Sequence, residues 1–171
     1  MTRVGGAALA YDIHVREVSS VPVLLVRTRA TRDQIRDALA DALTAAWVHA
    51  ETNGVTPSGP PFTRYSSLED GTIALEAGVQ LPYAVAGRDD IVASELPGGE
   101  VVTTIHVGPY SRLWAAYEAL TYWMENSGRK PDGEPWEFYV TDPRDHPDSS
   151  RWRTEIVWPL LPERAERTLA K

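Results

Sequence analysis

The chain has 171 residues, 43% of them hydrophobic, with six Trp and seven Tyr, which suits a packed core and excludes a disordered protein. It has no cysteine, so disulfides, thiolate metal sites and cysteine nucleophiles are ruled out, and a cytoplasmic setting is the expectation. Seventeen basic against 24 acidic residues give a net charge of −7 without a basic stripe, which argues against direct DNA or RNA contact and favours a cationic partner.

Met1 to Ala10 reads as a flexible tail, too short for a signal sequence, and no apolar run approaches the roughly 18 residues of a membrane span. Residues 11–18 alternate, with Tyr11, Ile13 and Val15 against Asp12, His14 and Arg16, the pattern of a half-buried strand. Val21 to Arg29 reads as a more fully buried strand. Thr31 and Gln34 fit a capping box, and the helix that follows carries Ile35, Leu39, Leu43, Ala46 and Trp47 on one face before Gly54 ends it. A Pro/Gly-rich loop at 57–61 leads to a strand at 62–67, and Asp70-Gly71 turns into a strand at 72–80. After a linker near Ala86 to Asp89 come strands at 90–96 and 100–107, a helix from Ser111 to Ser127, and strands at 136–141 and 151–158.

The chain says nearly the same thing twice. Gly54, Pro57, Gly59, Pro61, Phe62 and Tyr65 recur at identical spacing as Gly128, Pro131, Gly133, Pro135, Trp136 and Tyr139. The expectation is a duplicated ββαββ fold of the α+β class. It has antiparallel strands, one long helix per half, and a central ligand groove on a pseudo-twofold axis. The boundaries read as a tail at 1–10, one domain at 11–162 made of repeats 11–86 and 89–162, and a C-terminal tail at 163–171.

Chemistry is sparse. His14, His49, His106 and His146 show no metal-ligand spacing, and no phosphate loop or nucleophile elbow stands out, so neither metal nor cofactor is expected. Leu113, Ala116, Tyr117, Leu120, Trp123 and Met124 form an apolar stripe along the second helix, read as core. Trp114 lies well off that stripe and Tyr122 nearly opposite it, so Trp114 borders a groove and Tyr122 is an exposed aromatic or a dimer contact. By period two, Trp136, Phe138 and Val140 oppose Glu137, Tyr139 and Thr141, while Arg153, Glu155 and Val157 oppose Thr154, Ile156 and Trp158. Glu155 stands mid-strand in an apolar segment; facing an aromatic groove it would have a raised pKa when the site is empty. Tyr139 and Glu155 would then pair across facing strands.

The run His106-Val-Gly-Pro-Tyr110, the helix to Gly128, Trp136-Glu-Phe-Tyr139 and Arg153-Thr-Glu-Ile156 resemble the GyrI-like small-molecule-binding domains, which also serve AraC- and MerR-type regulators as effector-binding domains. Pro60-Pro-Phe-Thr-Arg-Tyr65 and Leu75-Glu-Ala-Gly-Val79 fit the same pattern, so the resemblance spans roughly residues 11 to 162. It implies two half-domains around a groove whose aromatic rings stack on flat, hydrophobic, often cationic drugs and dyes. A buried glutamate on the last strand, Glu155 here, would supply the counter-charge. The ligand-binding residues so expected are Tyr65, Tyr110, Trp114, Trp136, Tyr139 and Trp158 with Glu155. Because Trp136 and Trp158 alternate away from Tyr139 and Glu155, these cannot all share one face. With no room for a helix-turn-helix, the expectation is a stand-alone protein for sequestration or resistance. The alternatives are a hydrolase opening the cyclopropane ring of DNA-alkylating antibiotics, with Glu155 and Tyr139 catalytic and Tyr65 equally eligible, or a sensor subunit of a separate regulator.

Overall fold

The structure, a computed structural model, describes residues 11–68 and 70–163; the tails read from the sequence, 1–10 and 163–171, lie outside the described residues except for Glu163. In chain order the elements are β1 (His14–Val18), β2 (Val21–Ala30), α1 (Ile35–Thr52), β3 (Phe62–Ser67), β4 (Ile73–Gln80), β5 (Ile91–Leu96), β6 (Gly99–Val107), α2 (Leu113–Ser127), β7 (Trp136–Tyr139) and β8 (Arg153–Pro159). Short 3₁₀ turns at Tyr110–Arg112 and Ser149–Arg151 precede α2 and β8.

Local details depart from the expectations in instructive ways. The first strand starts only at His14; Tyr11 and Ile13 precede it and pack against the α2 cluster instead. The capping box does not form, because the Thr31 hydroxyl donates to the Asp33 carboxylate (2.6 Å), and α1 starts without a side-chain cap. The buried stripe of α1 is Ala42, Ala46 and Ala50, and Trp47 is 40% exposed. Its C-terminus closes with Val55 N–H on the Ala50 carbonyl (3.0 Å) beside Gly54.

All eight strands form one antiparallel sheet in the order β1-β6-β8-β7-β3-β4-β2-β5. Exchanging β1 with β5, β2 with β6, β3 with β7 and β4 with β8 returns the same order. The opening strands cross over, since β1 pairs with β6 and β5 with β2. Only Ser19 and Ser20 join β1 to β2, and only Pro97 and Gly98 join β5 to β6. Each linked pair is six places apart in the sheet, about 29 Å if it were flat, whereas such a linker reaches about 11 Å. The sheet must therefore curl until its two ends meet. They do: a Cβ on Gly98 would lie 2.7 Å from the Ser20 amide nitrogen, so glycine is needed where the linkers touch. At Gly78 the neighbouring strand is closer still, with the Leu24 carbonyl 2.0 Å from where a Cβ would stand.

Curling gives the sheet two buried faces. The face without helices encloses Val23, Leu25, Phe62, Leu96, Val101, Trp136 and Val157, drawn from six strands. On the other face α1 rests on β2 and β4, while α2 rests on β6 and reaches β8 through Ile156. The central strands β3 and β7 lie between the two helices, and side chains on that face have room to converge there.

Candidate functional site

Period two along β7 sends Trp136 and Phe138 into the helix-free core and Glu137 and Tyr139 up between the helices. Glu137 is 5% exposed. Its carboxylate accepts from the Tyr117 hydroxyl of α2 (2.6 Å) and from the Tyr139 hydroxyl (3.0 Å). Tyr139 in turn meets the Tyr65 hydroxyl of β3 at 2.9 Å. Among the described residues no arginine, lysine or histidine forms an ion pair with Glu137. Burial pushes the carboxyl above the ordinary glutamate range, and the two phenol hydrogen bonds only partly oppose this. Tyr65, Tyr117 and Tyr139 are all held above the usual phenol range, first by burial and then by the Glu137 charge, so they stay protonated donors.

An aromatic stack leads outward from this acid. The Tyr110 ring lies 5.6 Å from Tyr139, edge-on at 62°, and 4.8 Å from Trp152 at 37°. Tyr110 is presented by the 3₁₀ turn before α2, and buried His106 holds that turn. Its Nε2 donates to the Pro109 carbonyl (3.2 Å), which leaves Nδ1 to accept from the Tyr11 hydroxyl (2.8 Å). On the α1 side, Ile35, Leu39 and Leu43 pack in the cluster that includes Tyr65. Trp158 shares this face but sits beside Tyr117 at 6.2 Å, its indole N–H on the Gly133 carbonyl (3.1 Å).

Of the residues expected from the sequence, Tyr65, Tyr110 and Tyr139 come together, with Trp158 at the periphery. Trp114 is 59% exposed and absent from the cluster. Trp136 is 3% exposed in the opposite core, against Phe62 and Val157. Glu155 also lies on the helix-free face, bound by Arg16 Nη2 (2.7 Å) and the Thr103 hydroxyl (2.9 Å). The expected Tyr139–Glu155 pair does not form, because the register sets Tyr139 opposite Thr154 and Phe138 opposite Glu155. Glu76 makes the same kind of contact, with Arg27 (2.7 Å) and Arg64 (2.5 Å). The acid and donor missed from the sequence are Glu137 and Tyr117. Alternation already put Glu137 with Tyr139, whereas Tyr117 was hidden in an ordinary apolar stripe. Two surface clefts lie elsewhere, about 730 Å³ between α1 and Arg88–Ile91 and about 610 Å³ around Arg27, Arg29 and Arg64. Neither gathers buried, interconnected polar groups as Glu137 does.

The sequence profile of the GyrI-like small molecule binding domain matches residues 11–161. No curated protein matches at a significant level. The crystal structure of the EcmrR C-terminal domain is similar, with a TM-score of 0.77 and 24% identity, covering 88% of this chain and 98% of that one. In the EcmrR–DNA complex the same 88% corresponds to only 57% of the EcmrR chain. A hydrolase from Listeria innocua matches with a TM-score of 0.63 and 17% identity over 87% of this chain and 91% of its own. SAV2435 bound to tetraphenylphosphonium matches with a TM-score of 0.59 and 11% identity over 88% and 94%. At these identities the structural likenesses establish the fold alone.

Proposed function

Because the chain belongs to the GyrI-like small molecule binding domain family, we propose that it binds planar, hydrophobic, cationic molecules between α1 and α2, for sequestration or resistance. The observation that carries this reading is Glu137, a buried carboxyl whose partners are neutral phenols. Desolvation makes a lone charge there costly, and a bound cation offsets that cost. Tyr65, Tyr110, Tyr139 and Trp152 supply ring faces on which a flat cation stacks. Ligand entry requires the side chains around Glu137 to part, since the acid is nearly inaccessible. The neighbour holding tetraphenylphosphonium supports the reading. Calorimetric titration with planar N-methylacridinium and with neutral 9-methylanthracene tests it; equal binding, or none, removes the cation site.

The raised Glu137 pKa sets a pH signature. Between the ordinary glutamate value and the raised one, the empty folded protein keeps a proton that the unfolded chain has released. Stability contributed by this group therefore falls as pH rises through that window. The cation must displace the same proton, so its affinity climbs by up to about tenfold per pH unit below the raised pKa and then levels. A cation Kd that stays flat across the window contradicts Glu137 as counter-charge.

A second reading draws on the same group. A carboxyl held above its ordinary pKa within hydrogen-bond reach of Tyr139 is the arrangement used for general acid–base catalysis. In this reading Glu137 and Tyr139, rather than Glu155, assist water in opening a strained cyclopropane, the oxygen going to carbon and a proton to the departing carbon. Incubation with a cyclopropane-bearing alkylator and mass spectrometry decides it. Many molecules hydrated per protein, lost in Glu137→Gln, make an enzyme; unchanged compound leaves a binder.

A further inference from the structure

Two buried hydroxyls at the floor of the site have no hydrogen-bond partner: Thr63 Oγ1 and Thr154 Oγ1, both in fully buried residues. Their placement follows from strand register. Thr63 on β3 stands directly opposite Glu137, and Thr154 on β8 directly opposite Tyr139, so both share the helix-side face with the acid. The Thr63 hydroxyl stands near enough to the Tyr65 and Tyr139 phenols to ease their ionisation, yet outside hydrogen-bond geometry. Valine has the same shape and would fill either position without leaving a polar atom orphaned, and burying an unpaired hydroxyl costs free energy. The carboxylate is also under-used. Two phenols fill two of its roughly four acceptor sites.

Resting on the cation-site reading above, we infer that Thr63 and Thr154 with Glu137 form a polar subsite selecting cations that carry N–H groups, protonated amines or amidiniums, over fully alkylated ones. An N–H donor fills the open carboxylate positions, and the threonine hydroxyls turn to accept from it. A ligand carbonyl is excluded, because its oxygen would face the carboxylate. A quaternary ammonium or phosphonium satisfies the charge but leaves both hydroxyls and half of the carboxylate unpaired. The subsite thus separates two classes of equal charge that ring stacking treats alike.

The test uses a matched pair, (naphthylmethyl)ammonium, which carries three N–H donors, and its N,N,N-trimethylated counterpart, titrated calorimetrically at neutral pH. The protonated amine is expected to bind about tenfold more tightly, the worth of one or two hydrogen bonds. In the Thr63→Val/Thr154→Val double variant that ratio shrinks to the part owed to Glu137 alone, while the quaternary affinity is unchanged. Thr63→Ser/Thr154→Ser, which keeps both hydroxyls, retains the ratio and guards against a general packing effect. Equal binding of the pair by the unaltered protein, or a ratio undiminished in the valine variant, overturns the subsite alone. Binding of neither probe overturns the cation site and the subsite with it.

Discussion

Glu137→Gln is expected to weaken binding of a hydrophobic cation by about 30- to 1,000-fold, or roughly 2–4 kcal/mol, the cost of removing one member of a desolvated charge pair. The substitution preserves shape and still accepts a phenol hydrogen bond, so the pocket persists and a neutral aromatic of similar size keeps its affinity. The fold is not expected to weaken, because the burial that raises the Glu137 pKa is a penalty the amide does not bear. Glu155→Gln is the matched control. Its side chain lies on the other face of the sheet, in contact with Arg16 and Thr103, and cation affinity should be unaltered. If the two variants lose affinity equally, the counter-charge is not Glu137 and the site has been put on the wrong face.

Phe62→Ala should cost about 3–5 kcal/mol of stability, the usual range for deleting a buried ring. Phe62 is fully buried in the cluster that joins Leu96, at one edge of the sheet, to Val101, near the other. Its ring fills the inside of the curl, so the surrounding strands cannot collapse onto the cavity without releasing the linker contact at Gly98 and Ser20. For a chain of this length the loss corresponds to a fall of roughly 6–20 °C in Tm. Trp114→Ala removes a larger side chain, yet one 59% exposed on α2, and should change stability by no more than about 0.5 kcal/mol. Thermal unfolding followed by circular dichroism compares them; similar shifts would mean that the helix-free core is not what holds the sheet curled.

By itself the sequence determined both helices, all eight strands and their order along the chain, because these follow from short-range periodicity and turn chemistry that tertiary contacts here reinforce. It also brought Tyr65 and Tyr139 forward as candidates through spacing that recurs in both halves, and Tyr110 through the family resemblance. Which acid lies beside them was decided only by tertiary structure. Alternation says that Glu137 and Trp136 face opposite ways; it does not say which way the helices lie. In a flat sheet with one wet face the apolar residues would mark the covered side and the acids the solvent. Here the curl buries the helix-free face around Phe62 and Trp136, so both faces of β7 are enclosed and the usual polarity cue is lost. Register then assigns the roles, placing Glu155 opposite Phe138 within reach of Arg16, and Glu137 opposite Thr63 beneath Tyr117. A carboxylate paired with arginine is neutralised on its own face. One left among phenols is the acid we propose as the counter-charge.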